Sequence, residues 1–196
     1  MITPTVMNSA NTNNLLTRCR SGEVDALGEM YDIHSGVVFR YAYRMLGDSE
    51  EANDVMQDTF VKAYRNLPGF RGECSLNTWL IRIAANLCRD RVKARIRHGH
   101  LSDSNEVLSM LPDESVWGRD PSKRVEDDDM NGLLRRVLFA LPAAPREIIV
   151  LADLEGMSYN EIAETLGCTV SSVKLRLFRA RRLLRSRVES LLEETK

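Results

Sequence analysis

The sequence is poor in the residues that build strands, disulfide scaffolds and metal centres. Aromatic residues make up 6% of the 196 positions, runs of β-branched residues are rare, and there are only 11 glycines and 6 prolines. The four cysteines include no CxxC pair, and the three histidines complete no zinc-ligand spacing. The composition therefore predicts an all-α fold without a metal or a cofactor. The cysteines are interpreted as reduced apolar fillers, with a redox role for Cys74 or Cys168 left open.

Membrane and export signals are also missing. No segment approaches the roughly 18 unbroken apolar residues of a spanning helix. The first residues, MITPTVMNSANTNN, lack the basic cluster and apolar core of a secretory signal. We therefore expect a disordered leader over residues 1–12, no membrane insertion and a cytoplasmic location.

Motifs of catalysis are absent as well. The sequence contains no HExxH, no Gly-rich phosphate loop and no plausible Ser/His/Asp set. The chain is therefore predicted to work by binding and not as an enzyme.

Charge is distributed unevenly along a chain whose net charge is only −1. Between positions 71 and 97 bases outnumber acids by seven to two, whereas between 101 and 130 acids outnumber bases by nine to three. The acidic stretch carries prolines and serines and lacks helical periodicity, which indicates a linker. We expect two small helical domains, 13–97 and 132–192, joined by a flexible acidic linker over 98–131.

The first domain contains a well-marked helix that begins after Asp48 and ends at Pro68. Asp48 with Glu51 forms a possible capping box, and apolar residues recur every three or four positions. Two helical segments hinged near Gly36 and a shorter helix around NNLLTRCR are predicted before it. Its polar face carries Glu50, Asp54, Gln57 and Asp58; the residues alone favour a solvated face, with a docking surface for a basic partner as the alternative.

A second helix of this domain is predicted to begin near Ser75 and to carry a cationic ridge. Arg82, Asn86, Arg89 and Lys93 follow one another at helical spacing on one side. Arginine forks onto phosphates or base edges, and asparagine pairs with an adenine edge. Phe70 and Trp79 flank the ridge, where they either stack on unpaired bases or belong to the core.

The second domain reads as a helix-turn-helix. SYNEIAETLG provides a capping box, Ser158 with Glu161, and a terminating Gly167; a long helix follows, with Thr169 or Ser171 as its cap. The stretch SSVKLRLFRARRLLRSRV holds seven basic residues and no acid. A solvated helix would mix Glu with Arg to gain i,i+4 pairs, so the pattern favours duplex DNA binding by this helix.

Four segments in this order resemble bacterial RNA polymerase sigma factors of the extracytoplasmic-function (ECF) class of the sigma-70 family. They are DVMQDTFVKAY, FRGECSLNTWLIRIAANLCRD, LPAAPREIIVLADLEGMSYNEIAETLG and TVSSVKLRLFRARRLL. The resemblance implies a protein that binds core polymerase, recognises the −10 and −35 promoter elements and initiates transcription of a stress or envelope-type regulon. It also implies control by an anti-sigma factor and a linker that passes near the active-site cleft of the polymerase.

The resemblance assigns roles to particular residues. It favours docking of the acidic face on the β′ clamp helices, with contact to the β flap elsewhere; the implied polymerase contacts are Asp54, Gln57, Asp58 and Val61. The implied −10 contacts are Phe70, Ser75, Trp79, Arg82, Asn86, Arg89 and Lys93. The implied −35 contacts are Ser171, Ser172, Lys174, Arg176, Phe178, Arg179 and Arg181. A stand-alone regulator that uses only the helix-turn-helix and a helical adaptor without DNA contacts are the alternatives.

Overall fold

The described parts of the chain fold into helices, and short turns join consecutive helices within each part. The computed structural model describes residues 9–97, 132 and 134–194, and regular structure within them is helical throughout. The elements are α1 (Ser9–Arg20), α2 (Val24–Leu46), α3 (Ser49–Asn66), a 3₁₀ turn (Leu67–Gly69), α4 (Leu76–Arg97), α5 (134–139), α6 (Ala143–Ile149), a π-helical turn (Val150–Leu154), α7 (Tyr159–Leu166) and α8 (Val170–Glu194). The all-α prediction is confirmed. The acidic linker 98–131 and residues 1–8 lie outside the described residues, but α1 begins at Ser9, so the end of the predicted disordered leader is helical.

The hinge predicted near Gly36 is wrong, because α2 passes through that residue as one continuous helix. Glycine in a helix interior costs about 1 kcal/mol relative to alanine, which is less than packing can supply. Met30, Val38 and Tyr41 are all buried on the inner side of this helix. Their burial on both sides of Gly36 holds the two segments in line. The helix ends at Gly47, whose φ of 75° suits glycine.

Helix α3 has the predicted start and the predicted core face. The Asp48 carboxylate accepts a 2.8 Å hydrogen bond from the backbone N–H of Glu51. The Glu51 side chain lies 2.7 Å from Arg95 of α4 and so ties the two helices together. The predicted apolar stripe is buried throughout: Ala52, Val55, Met56, Phe60, Ala63 and Leu67.

Helix α4 begins where the sequence predicts. The Ser75 hydroxyl accepts a 3.0 Å hydrogen bond from the backbone N–H of Thr78, so Ser75 is the N-cap. Its buried residues include Leu80, Ile81, Ala84, Ala85 and Cys88. They lie around more than one side of the helix, because α4 packs against both α2 and α3.

The cysteines carry free thiols in two environments. Cys19 and Cys88 are buried in the core, and Cys74 and Cys168 are partly exposed. Burial raises the pKa of the Cys88 thiol to about 12. Cys19 and Cys88 therefore match the interpretation as apolar fillers.

We expect alkylation of the native protein to discriminate between these thiols. Because only the thiolate reacts and a pKa near 12 leaves about 1 in 10⁴ of the thiol ionised at pH 8, Cys88 should react at least ~100-fold more slowly than Cys168. Mass spectrometry after timed iodoacetamide treatment measures both rates. Equal rates in the native protein would contradict the burial of Cys88, and equal rates in urea provide the control.

Both predicted features of the helix-turn-helix are present. The Ser158 hydroxyl and the Glu161 carboxylate exchange hydrogen bonds with each other's backbone N–H groups. Gly167 closes α7 with a φ of 60°. Thr169, the first of the two proposed caps, accepts from the backbone N–H of Ser172 at 3.2 Å and begins α8.

The two helical domains, α1–α4 and α5–α8, pack on one another. One hydrophobic core includes buried residues of both, and α6 contacts α2 while α7 contacts α4. At the end of α2, a Cβ added to Gly47 would lie 2.9 Å from the Phe139 ring, so the backbone of one domain touches a side chain of the other. The fold thereby brings the ridge of α4 next to the helix-turn-helix.

Candidate nucleic-acid interface

The predicted ridge exists on α4 and is only partly open. We call Arg82, Asn86, Arg89 and Lys93 the α4 ridge. Asn86 and Lys93 are exposed, whereas the side chains of Arg82 and Arg89 are 23% and 29% exposed. All four residues lie on one side of the helix. Their donors form a surface suited to phosphates and base edges.

The residues that precede the α4 ridge differ in their exposure to solvent. Phe70 is 5% exposed and packs against Trp79 with ring centroids 4.8 Å apart. Of the two alternatives for Phe70, this arrangement of the chain therefore has the core position: Phe70 supports Trp79, and its own contact with DNA stays a prediction. Its backbone carbonyl also accepts a hydrogen bond from Arg20. Trp79 is half-buried and Ser75 is exposed at the entrance to α4.

The two arginines of the α4 ridge pair with carboxylates and donate to a backbone carbonyl of the carboxyl-terminal domain. Arg82 lies 2.8 Å from a carboxylate oxygen of Glu164 in α7. Arg89 donates to the Glu147 carboxylate at 3.0 Å and to the backbone carbonyl of Thr165 at 2.8 Å. Asn86 accepts a 2.8 Å hydrogen bond from Arg89. Neither glutamate is marked as a contact by the sequence pattern, because Glu147 lies in the apolar run REIIV and Glu164 lies on a helix predicted only as part of the helix-turn-helix.

Buried charged residues extend the contact between the two helical domains beyond the α4 ridge. Arg44 at the end of α2 pairs with Glu155 at 2.6 Å, and both side chains are at least 85% buried. Arg146 is buried against the Phe139 ring and donates at 2.9 Å to the carbonyl of Met45 in the other domain. Burial lowers the pKa of Arg146 to about 10 and raises the pKa of Glu155. The domain interface therefore combines buried polar and charged groups with the hydrophobic core that the two domains share.

Helix α8 presents its basic residues to solvent. Val173, Leu177 and Ala180 are buried, and the intervening positions face outward. The predicted −35 contacts are exposed, except that Ser172 is partly buried: Ser171, Ser172, Lys174, Arg176, Phe178, Arg179 and Arg181. Phe178 is 64% exposed, so its ring is accessible on the outer face of α8. Among the predicted −35 contacts, Arg181 pairs with the carboxylate of Asp153 at 2.5 Å.

The acidic face of α3 is exposed as predicted. Asp54, Gln57 and Asp58 face solvent, and Val61 is 45% exposed beside them. Arg91 of α4 lies at the edge of this face, 3.5 Å from Asp54 and 3.2 Å from Asp58. Exposed pairs of this kind contribute about 0–1 kcal/mol, so the carboxylates remain available to a basic partner.

The described residues also bear on metal sites and membrane-spanning helices. Within residues 9–97 and 134–194, no cluster of three His, Cys, Asp or Glu side chains is placed to hold a metal ion. The described helices also include none that is long and apolar enough to cross a membrane.

Comparison with known proteins identifies the two helical domains. The family model for Sigma-70 region 2 matches residues 30–98, and that for Sigma-70, region 4 matches residues 131–184. The ECF RNA polymerase sigma factor SigW of Bacillus subtilis is 31% identical over 179 residues, covering 90% of this chain and 96% of that protein. The RNA polymerase sigma-H factor of Pseudomonas aeruginosa is 33% identical over 168 residues, covering 81% of this chain and 87% of that protein.

Solved structures agree with this similarity. The structure of CnrH in complex with the cytosolic domain of CnrY has a TM-score of 0.61 at 26% identity, over 93% of this chain and 97% of CnrH. The sigma factor RpoE of Bartonella quintana, solved with the anti-sigma factor NepR, shares the fold with a TM-score of 0.63 at 23% identity, over 85% of this chain and 98% of RpoE. The chain therefore belongs to the ECF class of the sigma-70 family of RNA polymerase sigma factors.

Proposed function

We propose that this sigma factor uses three separate faces for its three main contacts during transcription initiation. Residues 13–97 form the region-2 domain, 98–131 the linker and 132–192 the region-4 domain. The observation that supports this division is that one acidic face and two cationic faces occur on different helices of one chain. A stand-alone DNA-binding protein needs only one such face.

The α4 ridge is proposed to hold the −10 element. Asn86 and Arg82 supply donors and an acceptor for base edges, while Arg89 and Lys93 neutralise phosphates. Trp79, supported from behind by Phe70, lies where an unpaired base can stack, and Ser75 lies at the same edge. Unstacking a base costs a few kcal/mol, which these contacts must offset during opening.

Helix α8 is proposed to read the −35 element as duplex. In a helix-turn-helix the amino-terminal turns of the second helix enter the major groove, and later basic residues meet phosphates. Ser171, Lys174 and Arg176 lie in those first turns, with Phe178 and Arg179 following them. The exposed Phe178 offers an apolar contact to a thymine methyl group.

The acidic face of α3 is proposed to dock on the clamp helices of the β′ subunit, and the region-4 domain on the β flap. Asp54, Gln57 and Asp58 form the polar part of the docking face, and Val61 adds an apolar contact at its edge. A face with carboxylates and a single exposed apolar residue suits a basic helical partner.

The activity is proposed to consist of binding and release, without bond-making chemistry or a cofactor, in the cytoplasm where the polymerase acts. Two structural neighbours were solved with partners named as an anti-sigma factor or as the cytosolic domain of another protein. By analogy we propose an anti-sigma factor as the regulator of this chain, and a stress or envelope-type regulon as its target.

Reconstitution with core polymerase tests the proposed function directly. Purified protein mixed with sigma-free core polymerase should co-elute in gel filtration and should start transcription at specific sites in a library of promoter fragments. Tight duplex binding by the protein alone, without co-elution, would instead identify a stand-alone regulator.

The Asp54→Asn/Asp58→Asn variant should bind core polymerase about 10-fold more weakly, because two carboxylates are lost from the docking face. The affinity is measured by titrating labelled protein with core polymerase. Asp90→Asn, an exposed carboxylate on α4, provides the control and should bind normally. Unchanged affinity of the double variant would show that this face is merely solvated.

A further inference from the structure

Two large apolar side chains of α8 face solvent next to each other. Leu175 is 49% exposed and Phe178 is 64% exposed, and residues three positions apart are neighbours on a helix surface. Val173, Leu177 and Ala180 are buried and mark the inner side of the same helix. Because each residue advances about 100° around a helix, Leu175 and Phe178 lie about 200° and 140° from Val173. Both side chains therefore lie on the side of α8 that is farthest from the core.

The surroundings of these two side chains favour DNA as their binding partner. We call Leu175 and Phe178 the apolar pair of α8. Lys174 is exposed on one side of the pair and Arg179 on the other. The major groove of duplex DNA has the complementary arrangement, with phosphates along its edges and methyl groups of bases on its floor. The pair is also continuous with the face of α8 that is proposed to read the −35 element.

The major groove offers one kind of apolar group to such a pair. Base edges there present hydrogen-bond donors and acceptors, and the apolar group among them is the C5-methyl of thymine. An apolar side chain against a donor or acceptor would exclude water from that group without replacing its hydrogen bond, which is unfavourable. We propose that Leu175, together with Phe178, reads C5-methyl groups, so that the −35 element of this protein carries two methyl-bearing pyrimidines.

The spacing of the apolar pair sets the spacing of the two pyrimidines. Three residues advance about 4.5 Å along a helix axis, and base pairs of B-DNA follow one another at about 3.4 Å. The two methyl groups therefore belong to base pairs that are one or two steps apart. Contacts to phosphates position a helix in the groove without reading sequence, so the pair adds selectivity that phosphate contacts do not supply. The inference rests on the proposed reading of the −35 element by α8.

Deoxyuridine tests the proposal, because it differs from thymidine only by this methyl group. Holoenzyme is titrated at constant salt against labelled promoter duplexes in which each −35 thymine is replaced in turn by deoxyuridine. Binding should weaken about 4-fold at two positions, which is the ratio that burial of one methyl group gives. The slope of log affinity against log salt should stay the same, because the substitution alters no charge.

Leu175→Ser should abolish the uracil effect at one of the two positions and keep it at the other, and Phe178→Ser should do the reverse. Each protein serves as its own reference, since the measured quantity is the ratio of its affinities for the thymine and uracil duplexes. Val24→Ser replaces another exposed apolar residue, at the start of α2, and should keep both effects as the control. Two uracil effects that persist in Leu175→Ser contradict reading by Leu175.

5-Methylcytosine, the other base that presents this methyl group, separates the methyl from the rest of thymine. At the position assigned to Leu175, a C·G pair with 5-methylcytosine should bind wild-type holoenzyme about 4-fold more tightly than the same pair with cytosine. Leu175→Ser should bind the two duplexes equally. A loss with uracil that is not accompanied by a gain with 5-methylcytosine overturns the proposal.

The remaining outcomes separate this inference from the proposed function. If no uracil substitution weakens binding but scrambling the −35 element does, the apolar pair reads no methyl group and α8 still reads this element. If scrambling the −35 element has no effect either, both fail. If Leu175→Ser weakens assembly with core polymerase and leaves both uracil effects intact, the pair is a protein-docking surface and the proposal is wrong.

Discussion

The Arg82→Ala/Asn86→Ala variant should lower open-complex formation at least ~100-fold while binding core polymerase normally. A good contact to a base edge is worth about 1–3 kcal/mol, and this variant loses two of them on one turn of α4. Neither residue belongs to the acidic face of α3. The loss is therefore expected in promoter opening and not in assembly.

Permanganate reactivity of unpaired thymines, measured at saturating holoenzyme, reports opening directly. Saturating holoenzyme is needed because Arg82 also contacts Glu164, so the variant changes the free protein too. Arg65→Ala/Asn66→Ala is the matched control, since it removes the same pair of residue types from exposed positions at the end of α3. If the Arg82→Ala/Asn86→Ala variant opens promoter DNA normally, the α4 ridge is not part of the promoter interface.

The Lys174→Ala/Arg179→Ala variant should lower transcription from a −35-dependent promoter about 30- to 100-fold. Both side chains are exposed on the outer face of α8, so their loss leaves the core residues Val173 and Leu177 in place. Each basic residue that neutralises a phosphate contributes about 0.9 to the slope of log affinity against log salt. The salt dependence of holoenzyme binding should accordingly become shallower, by up to ~2 in slope if both residues contact phosphates.

The same promoter with a scrambled −35 element provides the control for this variant. Wild type and variant should transcribe it at similar, low rates, because the contact that distinguishes them is absent. An equal loss on both promoters would indicate damage to the polymerase contact of this domain. No loss on the native promoter would contradict reading of the −35 element by these two residues.

The contact between the two domains explains part of the near-neutral charge of the whole chain, because acids of one domain pair there with arginines of the other. The chain has a net charge of −1 although α4 and α8 are strongly basic. Some of the balancing acids are Glu147, Glu155 and Glu164, which lie against arginines of the other domain. Part of the acidity of the chain thus lies against its own arginines, part lies on the exposed face of α3, and nine acids belong to the stretch 101–130, outside the described residues.

The sequence by itself determined the elements whose causes are local. The N-caps at Asp48, Ser75 and Ser158 and the terminating Gly167 depend on residues within a few positions of each other, so their signals are visible in the sequence. The run of basic residues on α8 is likewise visible in the sequence. The α4 ridge and the acidic face of α3 were predicted for the same reason.

Only the tertiary structure decided which of these faces are free. The Arg89–Glu147 contact joins residues 58 positions apart, and the Arg44–Glu155 contact joins residues 111 positions apart. Local patterns carry no information on such pairs, because the pairs depend on how two separately encoded helical domains dock. The burial of Phe70 and the continuity of α2 through Gly36 have the same origin. Packing contributes more free energy there than local propensity does, and packing is a property of the assembled chain.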